Sequence, residues 1–478
     1  MVLAGQVGRI ALQIGSVAVL ARLLTPEDYG IVAIALALVG IGEIFRDAGL
    51  STAAVRAPTL DHGQRTNLFW INTAMGVVLA ALAYAASPLV AAAFSTPDVE
   101  PVVEALAVTF VINGAAAQYR ADLNRRMRFH SLVAVDLGSQ LAGTMLAIVV
   151  AWRGAGYWAL VVQQIVACLV VLMGCVALAR WAPGRPQRSA DVRPMVRFGM
   201  GMLTSQVIGY LNSNVDTLVI GRRLGAQDLG YYNRAYQLVM RPLSQLRSPT
   251  TSVALPVLAR LSDDVEASNA FLVRSQLALG YTLVPLTAMM AGAAAPLVAV
   301  FLGEQWAPVV PIFALLAVAG TIQNVDFVAL WVFLGRGLTR HLVWFSLVSL
   351  VIKVVCVLVG VHWGVVGVAA GFAIAPALWW PLSIWWLSRV TPMPTGALYS
   401  GATRILVCAV AAGCSASLAV RLTAHLSDVL QLCVAAGAAA AAYLAACLVP
   451  VIRRDALAVV ALGRRGLRRP TRAGATIR

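Results

Sequence analysis

Long apolar segments, each about the length of a membrane-spanning helix, recur along almost the whole chain. The stretches at 132–151 and 401–422 are typical examples. A helix needs about 20 mainly apolar residues to cross the hydrocarbon core of a bilayer. Because these residues run continuously and do not alternate with polar ones, they predict helices and disfavour a membrane β-barrel. With 60% of its 478 residues hydrophobic and only 12% charged, the chain is predicted to be an all-α polytopic membrane protein.

The interruptions between apolar runs predict about fourteen transmembrane helices. These lie near 3–21, 31–53, 68–93, 102–119, 131–151, 158–179, 195–220, 230–254, 271–294, 309–333, 341–361, 364–387, 401–422 and 429–451. The connections are short and rich in turn-forming residues, so neither a separate catalytic domain nor a nucleotide-binding domain is expected. The basic flank that usually precedes a first span is missing, which predicts that the chain begins slightly downstream of where its relatives begin.

The positive charge is concentrated at the ends of apolar segments. Of the 36 basic residues all but Lys353 are arginine, and they cluster at 120–128, at 180–197 and after 453. The positive-inside rule then places both termini in the cytoplasm, although the loop at 260–274 is slightly acidic. Because no aromatic residues are interleaved with the arginines, the net charge of +16 does not predict a nucleic-acid partner.

An internal repeat links the two halves of the chain. The segment 20–30 aligns with 220–230, with identities that include Arg22 with Arg222, and Gly30 with Gly230. Six predicted spans separate the copies, and an even number gives the two halves the same orientation in the membrane. Parallel repeats of this kind are one of the two plans of secondary transporters.

Ionisable side chains inside the spans are the candidates for chemistry, because each costs about 3 kcal/mol or more in hydrocarbon. They are most frequent in the first two spans of each half. The residues predicted to line a substrate cavity are Arg9, Glu43, Arg46, Asp47, Asn212, Asn214, Arg234 and Arg241. The candidates for coupling an ion are Asp216, Asp136 and Glu43, with Asp216 first because polar residues flank it.

Structural explanations compete with these assignments. Glu43 and Arg46, three residues apart on one helical face, could neutralise each other in an internal salt bridge. Arg247 is better explained as snorkelling to the cytoplasmic surface, and Arg241 could do the same. Asp216 could pair with a neighbouring arginine. The tryptophans near 379–386 are better explained as interfacial anchors than as a sugar-binding surface.

No metal site, cofactor or disulfide is predicted. The seven cysteines lie within apolar stretches without a C-x-x-C motif, and the five histidines show no spacing typical of metal ligands. The cysteines are therefore interpreted as small buried hydrophobic residues.

Three segments resemble a known family. They are 20–30, the Asp47–Ser51 run with 56–70, and the run 214–237. They are similar to bacterial oligosaccharide flippases, the polysaccharide exporters of the multidrug/oligosaccharidyl-lipid/polysaccharide transporter superfamily. The resemblance implies two pseudo-symmetric six-helix bundles around a cavity lined by the first two helices of each half. The implied domains are an N-terminal bundle at 1–180, a cytoplasmic linker at 181–194, a C-terminal bundle at 195–388, two additional transmembrane helices at 389–452 and a basic cytoplasmic tail at 453–478.

The function implied by this resemblance is transport. Members of the family move oligosaccharides linked to undecaprenyl diphosphate across the bacterial cytoplasmic membrane by alternating access. The implied partners are the lipid-linked oligosaccharide, membrane lipids, glycosyltransferases and a polysaccharide polymerase. A peptidoglycan-precursor flippase or a drug–cation antiporter would share the fold. A membrane glycosyltransferase or polymerase is a more distant alternative, because the outer loops are too short for a catalytic cluster.

Overall fold

The computed structural model describes residues 2–57, 59–187, 190–261 and 263–467, and nearly all of them are helical. The helices are α1 (Val2–Leu23), α2 (Pro26–Asp47), α3 (Leu50–Arg56), α4 (His62–Phe94), α5 (Val99–Arg125), α6 (Phe129–Trp152), α7 (Trp158–Ala179), α8 (Arg193–Arg223), α9 (Ala226–Arg260), α10 (Val265–Gly292), α11 (Ala294–Phe301), α12 (Val309–Gly335), α13 (Thr339–Gly360), α14 (Gly364–Val390), α15 (Thr395–Leu422), α16 (Asp428–Ala446) and α17 (Pro450–Leu467). Two 3₁₀ turns, Glu304–Trp306 and Val361–Trp363, complete the set. Since these four ranges contain no strand, the predicted all-α class is confirmed.

The helices are long and apolar enough for a multi-pass membrane protein. Within the described ranges nine stretches meet the length and composition that a span needs, or ten if α10 and α11, bent by 82°, form one broken span. Here Thr339–Val390, which contains both α13 and α14, counts as one stretch. Every predicted apolar segment overlaps a helix. The count of fourteen spans stays a prediction.

The second predicted span, 31–53, is wrong at its C-terminal end. Helix α2 stops at Asp47, because Ala48 and Gly49 both adopt left-handed backbone conformations with φ of 40° and 72°. Glycine is the residue that tolerates this conformation at little cost. The chain restarts as α3, and the Ser51 hydroxyl donates a hydrogen bond to the Asp47 carboxylate across the break. Hydropathy averaged over a window of about 19 residues does not resolve a break of two residues.

The first copy of the repeat encodes the start of α2. The Thr25 hydroxyl accepts a hydrogen bond from the Asp28 backbone N–H, and the Asp28 carboxylate accepts one from the Thr25 N–H at 2.8 Å. This capping box satisfies two N–H groups that the helix leaves free. Pro26 occupies the first turn, where its fixed φ suits a helix and its missing N–H costs nothing.

The two copies of the repeat pack against each other through their glycines. A Cβ atom on Gly30 would lie 1.7 Å from the Ala226 carbonyl oxygen. A Cβ atom on Gly230 would lie 1.7 Å from the Pro26 carbonyl oxygen. Each glycine therefore allows the first turn of the other copy's helix to come into direct backbone contact, and any larger residue would separate α2 from α9.

The described residues form two compact units. The first unit contains the residues up to Leu238 together with Phe301–Val309 and Ser346–Val368. The second contains Val239–Val300, Val310–Phe345 and the residues from Ala369 onward. The predicted bundle boundaries stay predictions. Residues 188–189 of the predicted linker and 468–478 of the predicted tail lie outside the described residues.

Each unit has its own apolar core. In the first, Phe69 of α4, Tyr119 and Leu123 of α5 and Cys175 of α7 form one buried cluster. In the second, α10, α15 and α16 pack mainly through small residues. Such residues allow the close helix approach that stabilises membrane bundles.

The first part of the predicted tail is helical. Residues 453–467 belong to α17, and its Asp455 carboxylate accepts hydrogen bonds from Arg404 of α15 at 2.8 Å and from the Tyr281 hydroxyl of α10 at 3.4 Å. Ile452 is buried in the core of the second unit. These contacts dock α17 onto two helices of that unit.

The cysteines differ partly from the prediction. Cys168, Cys175 and Cys408 are buried as expected, but Cys414 and Cys433 are exposed, and all seven are free thiols. A membrane helix can direct apolar side chains outward, and hydropathy does not distinguish its outer face from its packed face. No group of three or more His, Cys, Asp or Glu side chains in the described ranges is arranged as metal ligands would be.

Candidate functional site: a cavity lined by arginines

A cavity of about 650 Å³ lies within the first unit, between α2, α3, α5 and α7. Its lining consists of Glu43, Arg46, Ser51, Thr52, Val55, Arg56, Asn113, Ala116, Ala117, Arg120, Ala121, Asn124, Gln164, Ala167, Cys168 and Val171. Three arginines and one glutamate are the charged members, so the lining has a positive balance. Polar side chains and small alanines alternate around them. Such a lining suits an anionic ligand that carries further hydroxyl groups.

Arg46 and Glu43 form the ion pair that their spacing allows. The Arg46 Nε donates to the Glu43 carboxylate at 2.6 Å, and Asn113 of α5 donates to its other oxygen at 2.9 Å. The Arg46 side chain is only 10% exposed. Its Nη1 has no hydrogen-bond partner among the described residues. A buried guanidinium N–H thus lies in the wall of this cavity without an acceptor among the described residues.

Arg9 and Asp136 also come together, in an arrangement that includes Arg120. The Asp136 carboxylate of α6 accepts a hydrogen bond from Arg9 of α1 at 2.8 Å. Arg120 of α5 contacts the same carboxylate with two hydrogen bonds, of 2.8 and 3.0 Å. Two arginines share one aspartate, which leaves one net positive charge. Asp136, a candidate for ion coupling, is thus already paired.

Sequence reasoning missed Arg56, Arg120 and Asn124. It assigned Arg120 to a cytoplasmic loop, whereas α5 continues to Arg125 and keeps Arg120 inside the helix. The signal was present, because Asn113, Arg120 and Asn124 follow a helical spacing along one face of α5. Arg56 lies on α3, which the hydropathy pattern did not separate from α2.

Three other predicted cavity residues do not line this cavity. The Asp47 carboxylate, at the end of α2, accepts a hydrogen bond from the Ser51 hydroxyl. The Asn214 side chain donates back to the Tyr210 carbonyl of its own helix at 3.0 Å. Asn212 contributes its backbone carbonyl, which accepts a hydrogen bond from Lys353. The polar density of α8 is therefore explained by contacts within and beside that helix.

Asp216, the leading candidate for ion coupling, lies in a buried network. The Lys353 ammonium of α13 is 3.4 Å from one carboxylate oxygen, and the Tyr232 hydroxyl of α9 donates to the other. Asp216 and Lys353 are both almost completely buried. Asp216 is paired with a cation, but the partner is the single lysine of the chain and not an arginine. Its assignment to ion coupling stays a prediction.

The first half of the chain has a neutral network at the corresponding place. Residue 16 corresponds to 216 by the repeat alignment, and Ser16 accepts hydrogen bonds from Thr144 of α6 at 3.1 Å and from Gln163 of α7 at 3.2 Å. At this position α1 contacts α6 through hydroxyl groups, whereas α8 contacts α13 through an ion pair; the ion pair between α1 and α6, Arg9 with Asp136, lies at a different position.

The last two predicted cavity arginines are also placed elsewhere. The Arg234 guanidinium stacks over the Tyr29 ring, 3.7 Å from its centroid, and Arg234 is buried. Arg241 belongs to the second unit and is exposed. Snorkelling is wrong for Arg247, because this residue is buried and its guanidinium lies over the Phe327 ring.

Comparison with known sequences identifies relatives with related roles. The profile of a family described as "Polysaccharide biosynthesis protein" matches residues 19–311. Lipopolysaccharide biosynthesis protein WzxC of Escherichia coli (strain K12) is 27% identical over 322 residues, which cover 66% of this chain and 65% of WzxC. Succinoglycan biosynthesis transport protein ExoT of Rhizobium meliloti (strain 1021) is 27% identical over 344 residues, which cover 72% and 70%. Teichuronic acid biosynthesis protein TuaB of Bacillus subtilis (strain 168) is 28% identical over 59% of each chain. The chain thus matches less than two thirds of the length of WzxC and TuaB.

Comparison with solved structures agrees on the fold. The lipid II flippase MurJ in an inward closed conformation superimposes with a TM-score of 0.73 over 95% of this chain and 100% of MurJ, at 12% sequence identity. An inward-facing multidrug transporter of the MATE family, from the MOP superfamily, gives a TM-score of 0.56 over 83% and 96%, at 15% identity. At these identities the likeness establishes the fold alone. The resemblance to polysaccharide biosynthesis proteins that the sequence motifs indicated is confirmed by the family match over residues 19–311.

Proposed function

Because this chain belongs to the polysaccharide biosynthesis protein family, we propose that it is a flippase for lipid-linked oligosaccharides. It is a bacterial multi-pass membrane protein and a transporter rather than an enzyme. The substrate class in this proposal is an oligosaccharide joined through a diphosphate to a polyprenyl lipid of the undecaprenyl type. The protein moves it across the cytoplasmic membrane for the synthesis of a surface polysaccharide.

The observation that carries this proposal is the unpaired Nη1 of Arg46 in the cavity of the first unit. A buried guanidinium N–H without an acceptor is costly unless a ligand supplies one. A diphosphate provides several acceptor oxygens, and arginine can engage phosphate oxygens with two parallel hydrogen bonds. Arg56 and Arg120 line the same cavity and add positive charge, while Asn113, Asn124 and Gln164 can hydrogen-bond sugar hydroxyls.

Alternating access is the proposed mechanism, and the repeat supports it. The glycine contacts between α2 and α9 form one closed seam between the second helices of the two halves. Because this seam consists of backbone contacts, α2 and α9 can move apart as rigid helices without removing side chains from a packed core. Opening it while the other side closes would expose the substrate alternately to the two faces of the membrane. Both termini are proposed to be cytoplasmic.

Binding of undecaprenyl diphosphate to the purified protein in lipid nanodiscs tests the substrate assignment. Losing one charge-assisted hydrogen bond costs about 1.5–3 kcal/mol, which is about a 10- to 100-fold weaker affinity. We expect Arg46→Gln to show such a loss, with smaller losses for Arg56→Gln and Arg120→Gln. Arg153→Gln, an exposed position in the turn after α6, is the matched control and should bind like the wild type. Wild-type affinity in all three cavity variants would remove the assignment.

Competition separates this function from its alternatives. The proposed transporter should prefer undecaprenyl diphosphate carrying an oligosaccharide over lipid II and over organic cations. Preference for lipid II would favour a peptidoglycan-precursor flippase, and preference for a lipophilic cation would favour a drug antiporter. The polymerase and glycosyltransferases that would make and use the glycan are proposed partners, which co-purification from the native membrane can identify.

A further inference from the structure

Four carboxylates inside span-length helices differ in whether a cationic side chain contacts them. The three candidates for ion coupling each contact a cation: Glu43 contacts Arg46, Asp136 contacts Arg9 and Arg120, and Asp216 contacts Lys353. Asp326 of α12 is different. No cationic side chain in the described part of the chain lies within ion-pair distance of its carboxylate.

Neutral groups of α14 hold the Asp326 side chain instead. The Trp379 indole N–H donates to one carboxylate oxygen at 3.0 Å. The Ser383 hydroxyl lies 3.0 Å from the other oxygen and 2.7 Å from the Trp380 carbonyl, so its one hydrogen is shared between these two acceptors. Trp379 is partly buried against the core of the second unit, and its interpretation as an interfacial anchor stays a prediction. Asp326 is half-buried in a span-length helix. A carboxylate that is shielded from water and has only neutral partners is disfavoured when ionised, and it avoids that cost by taking up a proton.

Asp326 shares a small cavity with two side chains that each have one polar atom without a hydrogen-bond partner in the described part of the chain. The cavity measures about 10 Å³ and is otherwise apolar, and Gln276 of α10 and Trp380 of α14 line it. The Gln276 Oε1 and the Trp380 Nε1 are buried without hydrogen-bond partners among the described residues. The other end of the Gln276 amide is held by the Val325 carbonyl at 3.4 Å. One acceptor, one donor and one carboxylate therefore meet in a space of about one water molecule.

These groups match a water molecule better than a metal ion. A water can accept a hydrogen bond from the Trp380 N–H and donate to the Gln276 oxygen and to Asp326. A sodium or other hard cation needs several oxygen ligands, and an N–H group that points its positive end at the ion opposes binding. The two indoles next to Asp326 thus favour a proton over a metal cation.

The charged and titratable groups around Asp326 are few. On α9, Arg247 lies over the ring of Phe327, and its charge acts on Asp326 without forming an ion pair. On α15, the Tyr399 ring contacts the Trp380 ring edge-on, and its hydroxyl is already bound to the Pro381 carbonyl at 3.1 Å. Neither group can serve as an alternative proton acceptor, because arginine stays charged and the tyrosine hydroxyl is occupied.

We propose that Asp326, together with one water molecule between Gln276 and Trp380, is a proton-binding site of the second unit. The proton comes from the aqueous phase through this water and neutralises the Asp326 carboxylate; only O–H bonds form and break. The use of this site in the transport cycle rests on the proposed flippase function. If Asp326 takes up a proton on one side of the membrane and releases it on the other, transport is coupled to the proton gradient.

Infrared difference spectroscopy of the purified protein tests the site without any substrate. A protonated carboxyl group has a C=O stretching band separate from that of the carboxylate, so its loss can be followed as pH rises. We expect the wild type to show a titrating band that Asp326→Asn lacks and that Asp216→Asn retains. A band that persists in Asp326→Asn, or a wild type without one, would overturn the proposal.

A second variant keeps the test decisive if Asp326→Asn does not fold. Ser383→Ala removes a hydroxyl that donates to Asp326 and stabilises its ionised form. We expect the midpoint of the band's titration to move to higher pH in Ser383→Ala. Ser388→Ala, whose hydroxyl bonds to the Trp385 carbonyl of the same helix, is the matched control. If the band titrates with the same midpoint pH in Ser383→Ala and in the wild type, Asp326 is not the proton-binding group.

Transport in liposomes then separates this inference from the proposed function. With an imposed proton gradient, the wild type should move its lipid-linked substrate faster, and Asp326→Asn should move it at a rate that does not depend on the gradient. If flipping occurs but the infrared band is absent, the proton site is wrong and the flippase assignment stands. If the band titrates as expected but no lipid-linked substrate moves, the flippase assignment is wrong.

Discussion

Lys353 and Asp216 form a buried ion pair between α13 and α8, with the ammonium nitrogen 3.4 Å from a carboxylate oxygen. A buried pair gains little net stability over neutral residues, but breaking it by removing one partner leaves a charge that nothing compensates. At the aligned position of the first half, Thr144 of α6 donates a hydrogen bond to the Ser16 hydroxyl of α1, while Arg9 and Asp136 form an ion pair elsewhere between the same two helices. The first half therefore has a neutral contact at the place of the Asp216–Lys353 pair.

The first prediction concerns replacing the Asp216–Lys353 ion pair by the neutral Ser and Thr pair found in the first half. Lys353→Met should destabilise the protein by about 3–5 kcal/mol, because Asp216 stays buried without its cation. The double variant Asp216→Ser with Lys353→Thr, which copies the neutral pair, should recover most of this loss. Thermal unfolding in detergent, followed by tryptophan fluorescence, measures both. A double variant that is no more stable than Lys353→Met would show that the pair has another role.

The second prediction concerns the glycine seam. Gly30→Ala and Gly230→Ala each place a Cβ against a backbone carbonyl that cannot rotate away, so the α2–α9 contact should open at a cost of about 1–3 kcal/mol. Both variants should lose export in a complementation assay while still reaching the membrane. Gly209→Ala on α8 is the matched control, because a Cβ there meets no atom within 4 Å. Normal export in both seam variants would contradict a role for this contact.

The third prediction is the orientation of the chain. In a variant whose seven cysteines are replaced, a single cysteine at Thr96 should react with an impermeant thiol reagent added to intact cells. A single cysteine at Gln187 should react only after the membrane is permeabilised, since it lies in the arginine-rich segment that is predicted to be cytoplasmic. The opposite labelling pattern would reverse the topology.

The fourth prediction concerns the two arginines on Asp136. Arg120→Gln should have a small effect on stability, below about 1 kcal/mol, because Arg9 still neutralises the carboxylate and both arginines are partly exposed. Asp136→Asn should cost more, since it leaves two guanidinium groups close together without an anion. Adding Arg9→Gln to Asp136→Asn should restore part of that loss, and melting temperatures of the three variants in one detergent would measure this order.

The sequence by itself determined the class of the protein, because long apolar runs have one main solution in a bilayer. It also located the ionisable residues that hydrocarbon makes costly, and the repeat at 20–30 and 220–230 marked Gly30 and its counterpart Gly230. Each of these features depends on neighbours in the chain or on a repeat along it, so reading the residues in order is sufficient to find them.

The tertiary structure decided which charges meet. Arg9 could not be matched to Asp136, nor Lys353 to Asp216, because each pair is separated by more than a hundred residues and its contact depends on how the helices pack. The same packing left Arg46 with a free N–H in a cavity and gave Asp326 only neutral partners. Hydropathy shows that a charge in a membrane helix needs a partner, but only the arrangement of the helices determines which group supplies it.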